Sequence, residues 1–219
     1  MSQRSPLPSG TPVPETDCLS ALRRTTKESH AQLDASLPLG RADASLEDYR
    51  HHTLALSAWL TALQPHLAAL ESLVPGFDFA RPARLHALHA DWLATHAAPA
   101  HAKDGFGDTS GCTQEMAAQA FSAFGAPGHA AVCWGLAYVV EGSQLGGQFL
   151  YQRLAPRLAP HPLRYLQGLG AGTGLRWKHF TRLLDTHVQS RFDIQAACAG
   201  ARAGFDGLRQ QLQGQGVLA

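Results

Sequence analysis

Valine and isoleucine together supply only eight of the 219 residues, while alanine and leucine dominate. Strands draw heavily on β-branched side chains, and helices favour alanine and leucine. This scarcity predicts an all-α chain. A hydrophobic content of 45% against 16% charged residues supplies one sizeable core. No internal repeat and no linker divides the sequence, so a single domain is expected over 18–213. Residues 1–17, rich in proline and small polar types, read as a disordered lead-in, and 214–219 as a short tail.

The longest apolar run, residues 130–140, has 11 residues, well short of the ~20 needed to cross a bilayer. The N-terminus lacks the apolar core of a signal peptide. The four cysteines, Cys18, Cys112, Cys133 and Cys198, form no CxxC pair, which disfavours a zinc site or a disulfide framework. These features predict a reduced, cytoplasmic protein with no membrane span. A net charge of +1 gives no reason to expect a nucleic-acid partner.

Periodicity supports helices. Tyr49, Thr53, Leu56, Leu60, Leu63, Leu67 and Leu70 recur at intervals of three and four, an amphipathic stripe that Pro65 should bend or weaken. Ser45 followed by Asp48 resembles the cap of that helix. Ile194, Ala197, Ala201, Phe205, Leu208 and Leu212 form a second stripe. Further helices are expected at about 19–36, 82–95, 113–124, 129–154, 161–169 and 175–189. Residues 97–111, AAPAHAKDGFGDTSG, have loop composition.

Within the predicted 129–154 helix the stretch YVVEGSQLGG carries three glycines, each costing about 0.8–1 kcal/mol relative to alanine. Gly142 and Gly146 share a face, with Ser143 and Gly147 beside them. Such a face permits close approach of a second helix. It equally permits a flat ligand to lie against backbone where any Cβ would collide.

The N-terminal helix contains CLSALRRTTKESHAQLDAS. His30 shares a stripe with Leu22, Thr26 and Leu33, which places a polar residue on the inward face. Its ordinary reading is a satisfied core or boundary histidine. Arg23 lies two turns earlier, at a rise of roughly 10 Å, with Lys27 between them. That spacing suits an iron macrocycle held by His30 with its carboxylates near Arg23. From Gly142 to Leu184 there is no Asp or Glu, yet Arg153, Arg157, Arg164, Arg176, Lys178 and Arg182 all occur there. Arg176, Lys178 and Arg182 accompany Trp177 and Phe180 on one predicted helix and could provide a positive field for an anionic ligand or an acidic partner.

The segments LRRTTKESHAQLD, YVVEGSQLGGQFL and GLGAGTGLRWKHFTRLL, in that order, together resemble bacterial heme oxygenases, particularly the branch encoded beside bacteriophytochromes. The resemblance runs from about Leu19 to Leu212. It implies a helical fold with heme between an N-terminal proximal helix and a glycine-kinked distal helix. By this resemblance His30 binds the heme iron, and Gly142, Ser143, Gly146 and Gly147 lie on the distal side, where Gly142, Ser143 and Gly146 take part in catalysis. Arg23, Lys178 and Arg182 match the basic residues that pair with the propionates, and Lys27 lies near them. Tyr138 can reach the pocket or pack in the core.

The implied reaction opens heme to biliverdin and releases carbon monoxide and ferrous iron, using dioxygen and electrons from an external donor. Candidate donors are a ferredoxin, a flavodoxin or an NAD(P)H-dependent reductase, and a bacteriophytochrome is a candidate receiver of biliverdin. Many relatives carry aspartate directly after the first distal glycine, where this chain has Ser143, a change that resembles the bacteriophytochrome-associated branch. A carrier or sensor that binds heme through His30 and releases it intact would use the same residues. Elsewhere, His86 with His89, and His51 with His52, lack a third ligand for a metal site. Glu141 reads as hydrogen-bonded structure, and Trp59, Trp92, Trp134 and Trp177 as core or boundary residues.

Overall fold

The computed structural model describes residues 17–96 and 130–218. The expected helix at 113–124, the loop at 97–111 and nearly all of the N-terminal lead-in lie outside the described residues. Within them the chain forms seven α-helices: α1 (Cys18–Ser36), α2 (Leu46–Leu73), α3 (Ala83–His96), α4 (Ala130–Leu154), α5 (Arg164–Gln167), α6 (Gly172–His187) and α7 (Arg191–Gly214). A short 3-10 turn, Pro38–Gly40, links α1 to α2.

Helix starts are set by side chains that satisfy the free N–H groups of the first turn. Asp17 accepts from Leu19 N at 3.0 Å and Ser20 N at 3.2 Å. Ser45 and Asp48 cap each other, with Asp48 N donating to Ser45 Oγ at 3.1 Å and Ser45 N to Asp48 Oδ2 at 2.7 Å, a capping box. Every member of the α2 stripe is buried. Pro65 does not interrupt that helix, because it sits on the solvent side, where water can satisfy the carbonyl that loses its intrahelical donor.

The core is centred on α4 and α7. Here two backbones come into close contact: a Cβ on Gly135 would stand 1.9 Å from Ala197 O, and one on Gly200 would stand 2.1 Å from Val132 O. Close approach therefore requires glycine at both positions. Packing on this pair are α2, through the buried Trp59 whose Nε1 donates to Gly204 O at 3.0 Å, and α1, through Cys18, Ala21 and Leu22. Removing one such large apolar side chain from water contributes about 1.5–3 kcal/mol. Beyond Gly214 the chain folds back, with Val217 N donating to Leu212 O at 2.8 Å and Val217 and Leu218 resting on the core.

Two expectations change. The helix expected at 161–169 is only four residues long, Arg164–Gln167, because buried Asp91 captures its start: Oδ1 accepts from Arg164 N at 2.9 Å, and Oδ2 from Tyr165 N at 2.8 Å and Tyr49 Oη at 2.6 Å. Gly168, at φ +55, then turns the chain through a conformation that L side chains rarely adopt. The helix expected at 175–189 begins earlier, at Gly172, and ends at His187.

Candidate functional site

Helices α1, α4, α6 and α7 meet around a corner of the bundle. Gly204 and Phe205, consecutive on α7, reach in two directions. A Cβ on Gly204 would lie 3.1 Å from Val139 on α4, and the Phe205 ring meets the His30 ring edge-on at 4.5 Å. From the other side, Trp177 on α6 comes to 3.8 Å from where a Cβ of Gly142 would stand. Phe205 thus packs on His30 and Trp177 on the Gly142 backbone, while α1 packs on α7 and α6 rather than on α4.

The glycines of α4 fall into two kinds. Gly135 is forced by the α7 backbone. At Gly146, by contrast, a Cβ would meet nothing within 4 Å; at Gly142 and Gly147 it would make only ordinary contacts, with Trp177 and Leu166. Protein packing accounts for Gly135, whereas among the described residues it leaves room for a Cβ at Gly142, beside Trp177, and open space at Gly146. An unfilled backbone face of this kind fits a flat ligand.

His30 is more exposed than its stripe suggests. Leu22 and Thr26 are buried and Leu33 half-buried, but the His30 ring stands at the edge of the core with one side on Phe205. The reason is that the core ends before the last turns of α1. Burial holds its pKa below the usual histidine range, against the opposing pull of Asp34. A neutral imidazole offers a nitrogen lone pair to a metal.

Arg23, Lys27, Lys178 and Arg182 are exposed and make no ion pair among the described residues. Lys178 and Arg182, four apart on α6, share a face. Arg176 behaves differently and leaves the group of available cations: its Nε donates to Glu141 Oε2 at 2.8 Å and its Nη2 to Oε1 at 2.8 Å, and its guanidinium lies 4.1 Å over the Phe77 ring. Arg84 completes this buried cluster, its Nη2 2.5 Å from Glu141 Oε1. Glu141 thereby ties α3, α4 and α6 together immediately before the bare glycine face.

The Ser143 hydroxyl donates to Val140 O at 2.8 Å. Its lone pairs remain free to accept. Tyr138 is buried, its ring centroid 5.8 Å from that of Trp177. Among the described residues no three His, Cys, Asp or Glu side chains cluster as a metal site. Sequence reasoning missed the packing glycines Gly135 and Gly200, the packing of Phe205 on His30 and of Trp177 on Gly142, and the buried Tyr165. Only the apolar periodicity around Phe205 gave any local signal.

These residues fit heme in kind: one neutral imidazole, a bare backbone face, aromatic walls and unpaired cations. The comparisons agree. The family model "Heme oxygenase" matches residues 16–213. A "Heme oxygenase" of Xanthomonas campestris pv. campestris (strain 8004) is 40% identical over 75 residues, covering 33% of this chain and 44% of that protein; the match therefore spans less than half of the relative's length. With its helical architecture and a family match across nearly all the described residues, the chain belongs to the heme oxygenase family.

Proposed function

We propose that this protein binds heme between α1 and α4 and opens it to biliverdin, carbon monoxide and ferrous iron, using dioxygen and electrons from an external donor. The observation that carries this reading is the contrast between glycines: Gly135 and Gly200 are demanded by a neighbouring helix, whereas among the described residues a Cβ on Gly142 would only touch Trp177 at van der Waals distance and one on Gly146 would meet nothing. Helix propensity alone would favour alanine there, and a planar ligand against the backbone gives glycine a purpose.

Each residue has a distinct part. His30, whose pKa is lowered by partial desolvation beside Phe205, would hold the iron, and the α4 glycines would line the heme. Arg23, Lys178 and Arg182 pair with the propionates, with Lys27 adding to the field. Phe205 and Trp177 exclude water from the ring edges. Ser143, whose proton is committed to Val140 O, accepts a hydrogen bond from a water in the cleft and orients it. When bound, heme is cofactor and substrate at once and supplies the iron chemistry that activates dioxygen. Ser143 in place of a carboxylate supports placement in the bacteriophytochrome-associated branch, with a ferredoxin, flavodoxin or NAD(P)H-dependent reductase as donor.

The test is an absorption time course of the heme complex in air with ascorbate, and with catalase to remove free peroxide. Decay of the Soret band into a broad red biliverdin band is expected. A Soret band that persists would identify a heme carrier on the same scaffold.

A further inference from the structure

Behind the glycine face of α4 lies a buried polar cluster with unmet hydrogen bonds. Gln144 and Tyr165 are 6% and 4% exposed, and neither Gln144 Nε2 nor Tyr165 Oη has a hydrogen-bond partner among the described residues. Ser143 and Gln144 are polar side chains that act on the Tyr165 hydroxyl, whose pKa is raised mainly by burial. Gln144 Oε1 and Thr173 Oγ1 bracket Gly168, lying 3.3 Å and 3.4 Å from where its Cβ would stand. Unsatisfied buried donors cost more than an average hydrogen bond contributes, and they are usually met by ordered water.

Position on the helix gives the pocket its use. At 100° per residue, Gly142 faces the cleft, Gln144 faces away from it, and Ser143 lies between the two. With its proton on Val140 O at 2.8 Å, the Ser143 oxygen has two lone pairs to fill.

We propose that Gln144, Tyr165 and Ser143 hold a buried water, and that Tyr165 is a positioning residue that fixes the Ser143 hydroxyl as a hydrogen-bond acceptor toward the cleft. Water is the ligand the pocket selects. The three contacting groups are neutral, two of them need an acceptor or donor, and a small molecule with two to four polar partners satisfies all three. Tyr165 or the water donates to Ser143 from behind, Val140 O takes the Ser143 proton, and the remaining lone pair must accept from a water in front. A neutral serine thereby presents the same acceptor character that a carboxylate would. The cleft-facing part of this inference rests on the heme reading; the buried water does not.

Two experiments separate them. In the heme-loaded full chain, the midpoint of the pH-dependent change in the ferric absorption spectrum is measured for wild type, Ser143→Ala, Tyr165→Phe and the double variant. Each single variant is expected to move the midpoint in the same direction by about half to one pH unit, the size of one neutral hydrogen bond. The double variant should move it no further than Ser143→Ala alone, because Tyr165 acts through Ser143. An unmoved midpoint in Tyr165→Phe, or a fully additive double variant, overturns the positioning role. Gln144→Met takes the place of Tyr165→Phe if that variant does not fold. A high-resolution crystal structure of the heme-free chain should show water within hydrogen-bond distance of Gln144 Nε2 and Tyr165 Oη, and a dry pocket there overturns the water site. Failure of the wild type to form any Soret complex sinks the heme reading, and with it the cleft-facing role, while the crystal structure still decides the buried water.

Discussion

A single missing Cβ has opposite consequences at two turns of one helix. Gly135→Ala drives a methyl group to 1.9 Å from Ala197 O, so α4 and α7 must separate. We expect a loss of at least 1–3 kcal/mol, the usual cost of overpacking, read as a lower urea midpoint. Gly146→Ala meets nothing and should stabilise the heme-free protein by up to ~0.8–1 kcal/mol through helix propensity, while Gly146→Leu obstructs heme. A destabilised Gly146→Ala would return this position to packing. Spacing gave Gly142 and Gly146 as a shared face but could not say what lay opposite. Gly135 and Gly200, 65 positions apart in sequence, carried no local sign that their backbones meet.

Helix α4 is held by charge as well as by packing. Glu141 is 3% exposed and accepts from both Arg84 and Arg176. Removing one partner from a buried ion cluster leaves uncompensated charge and costs about 3–5 kcal/mol. Glu141→Gln should therefore lower the thermal midpoint by several degrees and weaken heme binding through displacement of α4. An unchanged melting curve would show that the arginines find other partners. Asp91→Asn removes one acceptor oxygen from the start of α5 and is expected to lower stability by about 1–3 kcal/mol, measured by urea unfolding. At this scale α2 and α7 were legible because each writes a long apolar stripe, that of α2 with a serine cap before it. Helix α5 was not, since its limits are set by Asp91 from α3. The role of Arg176 was hidden for the same reason: its partner, Glu141, lies outside the acid-free window that drew attention to it.

The whole molecule carries a buried neutral histidine. Burial pushes the His52 pKa down to about 4, against about 6.5 in an unfolded chain. Between those values the unfolded state binds a proton that the folded state does not. Its stability is therefore complete above pH 6.5 and declines as pH falls toward 4, by ~3 kcal/mol from this group. His30 and His66, also lowered by burial, act in the same direction. Urea midpoints at pH 7 and pH 5 should diverge for wild type and less so for His52→Leu, whose apolar side chain has no orphaned Nδ1. Equal losses in the two proteins would remove His52 from the account of acid sensitivity. The fold class followed from composition alone, since so few β-branched residues leave helix as the outcome. The walls of the site did not, because Phe205 and Trp177 reach it only through the packing of α6 and α7.

The central claim, heme held by His30 across a bare glycine face, is tested most directly by titrating the heme-free protein with hemin beside His30→Ala and following the Soret region. The account predicts a sharp Soret band that saturates at one equivalent in the wild type. In His30→Ala the band should be shifted or absent, with the helical circular dichroism retained, because an exposed side chain contributes little to stability. Identical spectra from the two proteins would contradict the assignment of His30 as the iron ligand.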